Sequence, residues 1–125
     1  MIGFVMVGTN NLLDACKFYD KILSSIDLVQ VLSTDRYVGY ASINQINKIE
    51  FYITRPTNKK EATYGNGTQI SFLVDTRDLV DKFYVNAMKI GAKNEGLPGF
   101  KPKNSSSYYC YIRDLDGNKI CVYTN

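Results

Sequence analysis

The sequence predicts an α+β domain of two βαβββ modules in tandem, and three observations carry that prediction. Val7-Gly8-Thr9, a leucine and then Phe18-Tyr19 return as Val74-Asp75-Thr76, Leu79 and Phe83-Tyr84 roughly 65 residues later, the mark of a duplicated unit. Each copy opens on a short apolar strand and passes through polar capping residues into an amphipathic helix. The chain then closes on Arg113-Asp114-Leu115-Asp116-Gly117-Asn118-Lys119, a turn whose Asp, Gly and Asn accept positive φ, between alternating segments at 108–112 and 120–123. That arrangement is a β-hairpin, and it makes Tyr109 or Tyr111 a cross-strand neighbour of Cys121 or Tyr123.

The elements follow in order. Residues 2–7 form the first strand, and Thr9, Asn10 or Asn11 caps the first helix. Leu12, Cys16, Tyr19 and Leu23 share one face of that helix, with Ala15, Phe18 and Ile22 beside them, so Cys16 is read as a packed core thiol. Strands at 28–32, 37–43 and 48–54 are separated by the polar segments 33–35 and 44–47. A connector over 56–67 contains Pro56 and the Gly65-Asn66-Gly67 turn. Module two opens on a strand at 68–74, followed by a cap at Asp75 or Thr76. Its helix runs over 78–90 with Leu79, Phe83, Ala87 and Ile90 inward, and Gly91 ends it in the left-handed conformation. Residues 94–107, with Gly96, Pro98, Gly99, Pro102 and three serines, read mostly as loop with room for a short strand. The whole of 1–125 is thus one domain, with modules at roughly 1–55 and 68–125.

Composition narrows the function classes. At 45% hydrophobic and 22% charged, the 125-residue chain can bury about two-thirds of its unfolded surface and is not a disordered segment. The net charge of +3 is scattered, apart from Lys59-Lys60 and the pair Lys101 and Lys103, and no basic stripe or RNA motif points to nucleic acid. Three cysteines without CxxC spacing argue against a disulfide framework or a structural zinc site and fit a reducing cytoplasm. The apolar start is too short for a membrane span or a signal-peptide core. Histidine is absent, which removes the commonest metal ligand and the commonest general base near neutral pH.

Val7-Gly8-Thr9-Asn10 with Phe18-Tyr19, then Gly65-Asn66-Gly67-Thr68, then Asp114-Leu115-Asp116-Gly117-Asn118-Lys119 come in an order and spacing that resemble the glyoxalase, bleomycin-resistance and extradiol-dioxygenase superfamily, the vicinal oxygen chelate proteins. The resemblance covers nearly the whole chain. It implies a curved eight-stranded cup with the helices outside, a ligand on the concave face, and a homodimer. It also implies metal-ligand positions at Ile2, Glu50, Gln69 and Cys121. Of these only Glu50 is a hard, charged ligand; Ile2 cannot coordinate, Gln69 offers one amide oxygen and Cys121 a soft thiol. The expectation is therefore a cup without the superfamily's catalytic metal.

Strand parity proposes the lining of the cup. Ile70, Phe72 and Val74 should face the helix, leaving Gln69, Ser71 and Leu73 concave; Ile49, Phe51 and Ile53 form an apolar set against Glu50, Tyr52 and Thr54; Ile120 and Val122 oppose Cys121 and Tyr123. The expected ligand-binding residues are Glu50, Tyr52, Gln69, Ser71, Tyr109, Tyr111, Cys121 and Tyr123. Each has a plainer reading: Glu50 on the exposed face of an edge strand, the tyrosines as cross-strand packing, and Cys121 and Cys110 as small packed hydrophobes. Were Glu50 buried in the cup, its pKa would rise and it would be the one candidate general base. Lys101 and Lys103 would attract an anionic ligand or simply solvate a loop. Asp114-Leu115-Asp116-Gly117 looks like a fragment of a calcium loop, but its later ligands are missing and a turn accounts for it.

The function expected is a small-molecule binding protein of the bleomycin-resistance type, holding an aromatic or anionic compound without breaking a bond. The alternative is a metal-dependent glyoxalase-type lyase or isomerase, or a dioxygenase, in which a divalent metal would polarise vicinal oxygens.

Overall fold

The computed structural model describes residues 1–125 and contains the duplicated βαβββ unit. Module one is β1 (Val5–Gly8), α1 (Leu12–Ser24), β2 (Leu28–Ser33), β3 (Tyr37–Ser42) and β4 (Ile49–Thr54). Module two is β5 (Ile70–Leu73), α2 (Arg77–Lys89), β6 (Lys93–Phe100), β7 (Tyr108–Arg113) and β8 (Lys119–Thr124). The eight strands form two four-stranded sheets of matching order, β1-β4-β3-β2 and β5-β8-β7-β6, with β1 parallel to β4 and β5 parallel to β8.

Both helices start where the sequence places a cap. The Asn11 side chain accepts from the Asp14 N–H, and the Thr76 hydroxyl accepts from the Leu79 N–H. Gly91, with φ of 102°, follows α2 in a conformation that costs other residues about 1 kcal/mol. The buried face of α1 is the expected one, Leu12, Ala15, Phe18, Tyr19, Ile22 and Leu23. In α2 the face centres on Val80, Phe83 and Ala87, while the expected Leu79 and Ile90 are only half-buried. One continuous core joins the modules, and Phe51 of β4 meets Phe72 of β5 edge to face at a centroid distance of 5.4 Å.

The closing turn fastens module two to module one. Asp114 is buried; its Oδ1 accepts from the Asp116 and Asn118 N–H groups at 2.9 and 2.8 Å, and its Oδ2 accepts from the Tyr19 hydroxyl of α1. Asn118 Nδ2 donates to the Gly8 carbonyl at 2.9 Å, and the Asn10 N–H donates to Asp116 Oδ1 at 2.8 Å. The motif that carries much of the family resemblance is thus a clamp between repeats.

Four expectations are corrected. The first strand begins at Val5, not Ile2, because its ladder with β4 starts at the Val5–Phe51 pair; Ile2 lies outside it and is 79% exposed. Residues 93–100 are a strand, not loop: β6 is an edge strand, where Pro98 can sit without breaking a ladder, and register shifts on both sides of Gly96 absorb the irregularity. β4 is not an edge strand, since β1 and β3 flank it. Finally, Ile49 does not share the helix-facing side with Phe51 and Ile53. The register shifts between Tyr40 and Ala41, so that Ala41 faces Ile49, and a Cβ on outward-facing Gly39 would lie 3.0 Å from both Ile49 and Tyr52 side-chain atoms.

Candidate functional site

The sheet faces turned away from the helices carry the candidate site. On module two the cross-strand register builds it in rows. Ser71 stands opposite Cys121, which stands opposite Tyr111; Leu73 stands opposite Tyr123, which stands opposite Tyr109. Ile120, Val122, Cys110 and Ile112, the alternating set, are fully buried under α2. Both tyrosine–partner pairings left open by the sequence therefore occur together. The rings of Tyr111, Tyr109 and Tyr123 form a stripe, with centroids 6.0 and 5.1 Å apart and planes within 2° and 8° of parallel. Gln69 Nε2 donates to the Ser71 hydroxyl at 2.9 Å.

On module one the corresponding face holds Tyr52, with Phe4 at 5.0 Å and Tyr37 at 5.9 Å, both edge to face, and the Arg36 guanidinium over the Tyr37 ring at 4.9 Å. Between the modules lies an opening of about 630 Å³ whose walls include Glu50 of β4 and Gln69 and Ser71 at β5. Three of the eight expected residues thus meet in one cavity. Tyr109, Tyr111, Cys121 and Tyr123 continue from Ser71 across the sheet, while Tyr52 belongs to the module-one cluster.

Charge and burial define what these groups can do. The Glu50 side chain is 47% exposed and pairs with Lys48 at 3.5 Å, so the burial that would make it a general base is absent. Burial pushes the Cys121 thiol up, against the opposing pull of the Ser71 hydroxyl and of Lys101 and Lys119, so it stays protonated near neutral pH. Burial takes the Cys110 thiol to about 12. Cys16 is half-buried rather than enclosed in the core, its thiol 3.2 Å from Gln30 Oε1 and 3.6 Å from Asp20 Oδ2. Burial also raises the Tyr111 phenol, which remains a hydrogen-bond donor.

The residues at the superfamily's ligand positions do not fit a metal. Ile2 is solvent-exposed and has no donor, Gln69 offers a single neutral amide oxygen while its Nε2 donates to Ser71, Glu50 answers Lys48, and Cys121 keeps its proton. Nowhere does the fold gather three carboxylate, thiol or imidazole groups.

Sequence reading missed Lys119, which shares parity with Cys121 and Tyr123 and so was within reach of the same rule. It also missed Phe4, Tyr37 and Gly96. Phe4 was hidden by its place before the ordered strand, and Gly96 by an irregular edge.

Over 98% of the chain and 97% of its counterpart, the protein superposes with a TM-score of 0.87 and 34% sequence identity on a solved glyoxalase/bleomycin resistance protein from Albidiferax ferrireducens. The chain belongs to the glyoxalase/bleomycin-resistance family. More distant structures share the fold. A glyoxalase-related enzyme from Fulvimarina pelagi matches at 13% identity and TM-score 0.79 over 100% of this chain and 88% of that one. Lactoylglutathione lyase from Agrobacterium tumefaciens matches at 18% and 0.70 over 100% and 93%. No protein-family model matches the sequence, and no curated protein does. The family's architecture accounts for the paired modules; the side chains described above are this chain's own.

Proposed function

We propose that the protein binds a small organic molecule in the opening between its two modules and on the sheet surface beside it, without a catalytic metal and without breaking a bond. The observation that carries this reading is the opening of about 630 Å³ in which Glu50 of one repeat meets Gln69 and Ser71 of the other. A cavity of that size, with a few convergent polar groups among apolar side chains such as Val5, Leu28, Phe72 and Leu73, suits a ligand of drug-like dimensions. Glu50, Gln69 and Ser71 supply hydrogen-bonding groups in the opening, and Tyr52 and the stacked tyrosines extend aromatic surface beyond it on either module.

The reading as a metal-dependent lyase, isomerase or dioxygenase rests on fold analogy, which does not transfer chemistry. The donor set here lacks the three ligands such a centre needs.

Isothermal titration of chelator-treated protein against a panel of small organic compounds tests the proposal. Binding should survive removal of metal, and Ser71→Phe, which fills the opening with a ring, should weaken it at least about tenfold. Binding that appears only after a divalent metal is restored would overturn it.

A further inference from the structure

Two half-buried ammonium groups converge on one ring of the tyrosine stripe. Lys101 Nζ lies 4.5 Å and Lys119 Nζ 5.1 Å from the Tyr111 centroid. Neither lysine has a carboxylate partner; the two ion pairs in the molecule are Lys48–Glu50 and Arg113–Glu95.

The local structure brings these charges together against their mutual repulsion. Lys119 stands directly opposite Arg113 in the β7–β8 ladder, and like charges in that position destabilise a sheet. Glu95 neutralises Arg113 at 3.0 Å and lowers the local potential around Lys119, yet three cations there face one carboxylate. Lys101 reaches the ring because β6 has no side chain opposite Tyr111. A Cβ on Gly96 would lie 2.7 Å from both Lys101 Nζ and Tyr111 Cδ2. The edge strand is therefore notched where the ammonium sits. A cation over a ring is attracted to it, but the contact leaves the charge uncompensated.

We infer that the ligand is an aromatic anion, its ring packed against the exposed edges of the Tyr109–Tyr111–Tyr123 stack and its carboxylate, sulfonate or phosphate group held by Lys101 and Lys119. This rests on the small-molecule binding proposed above and narrows it to one chemical class. The spacing supports both halves: the three stacked rings present a row of positively polarised edges that suits edge-to-face contact with an aromatic ring, and two unpaired ammoniums at the Tyr111 end of the row offer charge-assisted hydrogen bonds to an anion.

Three matched probes test it: 2-naphthoate, 2-naphthamide and 2-naphthylmethylammonium, titrated by calorimetry and followed by NMR of tyrosine ring-labelled protein. The expected result is that naphthoate binds about tenfold or more tightly than the amide, shifts the Tyr109, Tyr111 and Tyr123 resonances, and loses affinity as salt is raised. In the K101M/K119M double variant, naphthoate affinity should fall to that of the amide while amide binding is retained, which also shows that the variant is folded. Equal affinity for all three probes would overturn this inference and leave the binding reading standing. So would a preference for naphthoate that survives in the double variant, or loss of both naphthoate and amide with the helical circular dichroism intact. If none of the probes moves a tyrosine resonance at millimolar concentration, this inference falls, and the binding reading is judged separately by the Ser71→Phe titration at the opening.

Discussion

Asp114 is the residue on which the two repeats meet. It is 5% exposed and answers four donors: the Tyr19 hydroxyl, the Asp116 and Asn118 N–H groups and the Asn118 amide. Removing it strands buried donors on both modules, so Asp114→Ala should lower unfolding free energy by about 2–4 kcal/mol, read from the denaturant midpoint at unchanged slope. At Cys110 and Cys121, exposure is 0% and 1%, and burial holds both thiols above their ordinary value. Alkylation of native protein near neutral pH, mapped by mass spectrometry, should leave both unmodified until denaturant is added; fast labelling of Cys121 would contradict its protonated, buried state. The sequence made the packed-thiol reading available for these two, because they alternate with Tyr111 and Ile120, but it could not foresee the contact of Cys16 with Gln30 on β2.

At the level of elements, period and capping were strong local signals, and both helices and the closing hairpin were legible from them. The failures have local causes as well. Pro98 and two glycines look like loop residues unless one knows that β6 is an edge strand with bulges. Parity gave the right faces for β5 and β8 but misplaced Ile49, because one register shift reverses the faces on one side of it. Gly96→Ala tests the irregular strand: the added methyl should displace Lys101 from the Tyr111 ring and move that ring's NMR signals, while thermal unfolding stays within a few degrees of the parent, roughly a 1 kcal/mol effect. An unchanged Tyr111 signal would mean that the notch does not hold the ammonium.

The molecule as a whole is two copies of one unit joined by a shared core and by the Asp114 clamp. Its overall plan was legible from the repeat and from the resemblance. The site was legible only in part: the resemblance set Glu50 and Gln69 at one site and parity set Ser71 beside Gln69, but no sequence rule brings Lys101 and Lys119 together over Tyr111. No helix is long and apolar enough to cross a membrane. We propose that the chain forms a homodimer, supported by Phe4, Met6 and Leu73, which leave 57%, 44% and 63% of their surface exposed around the helix-free faces. Sedimentation at micromolar concentration should return twice the 14.2 kDa chain mass, and a monomer mass would contradict it.

The central claim is that this histidine-free member of the family works without the metal. Elemental analysis of untagged protein, after incubation with nickel, zinc, manganese and ferrous iron and removal of the excess, tests it most directly. The account predicts far less than one metal ion per chain, unchanged by Glu50→Ala. Stoichiometric metal that is lost in Glu50→Ala would contradict it.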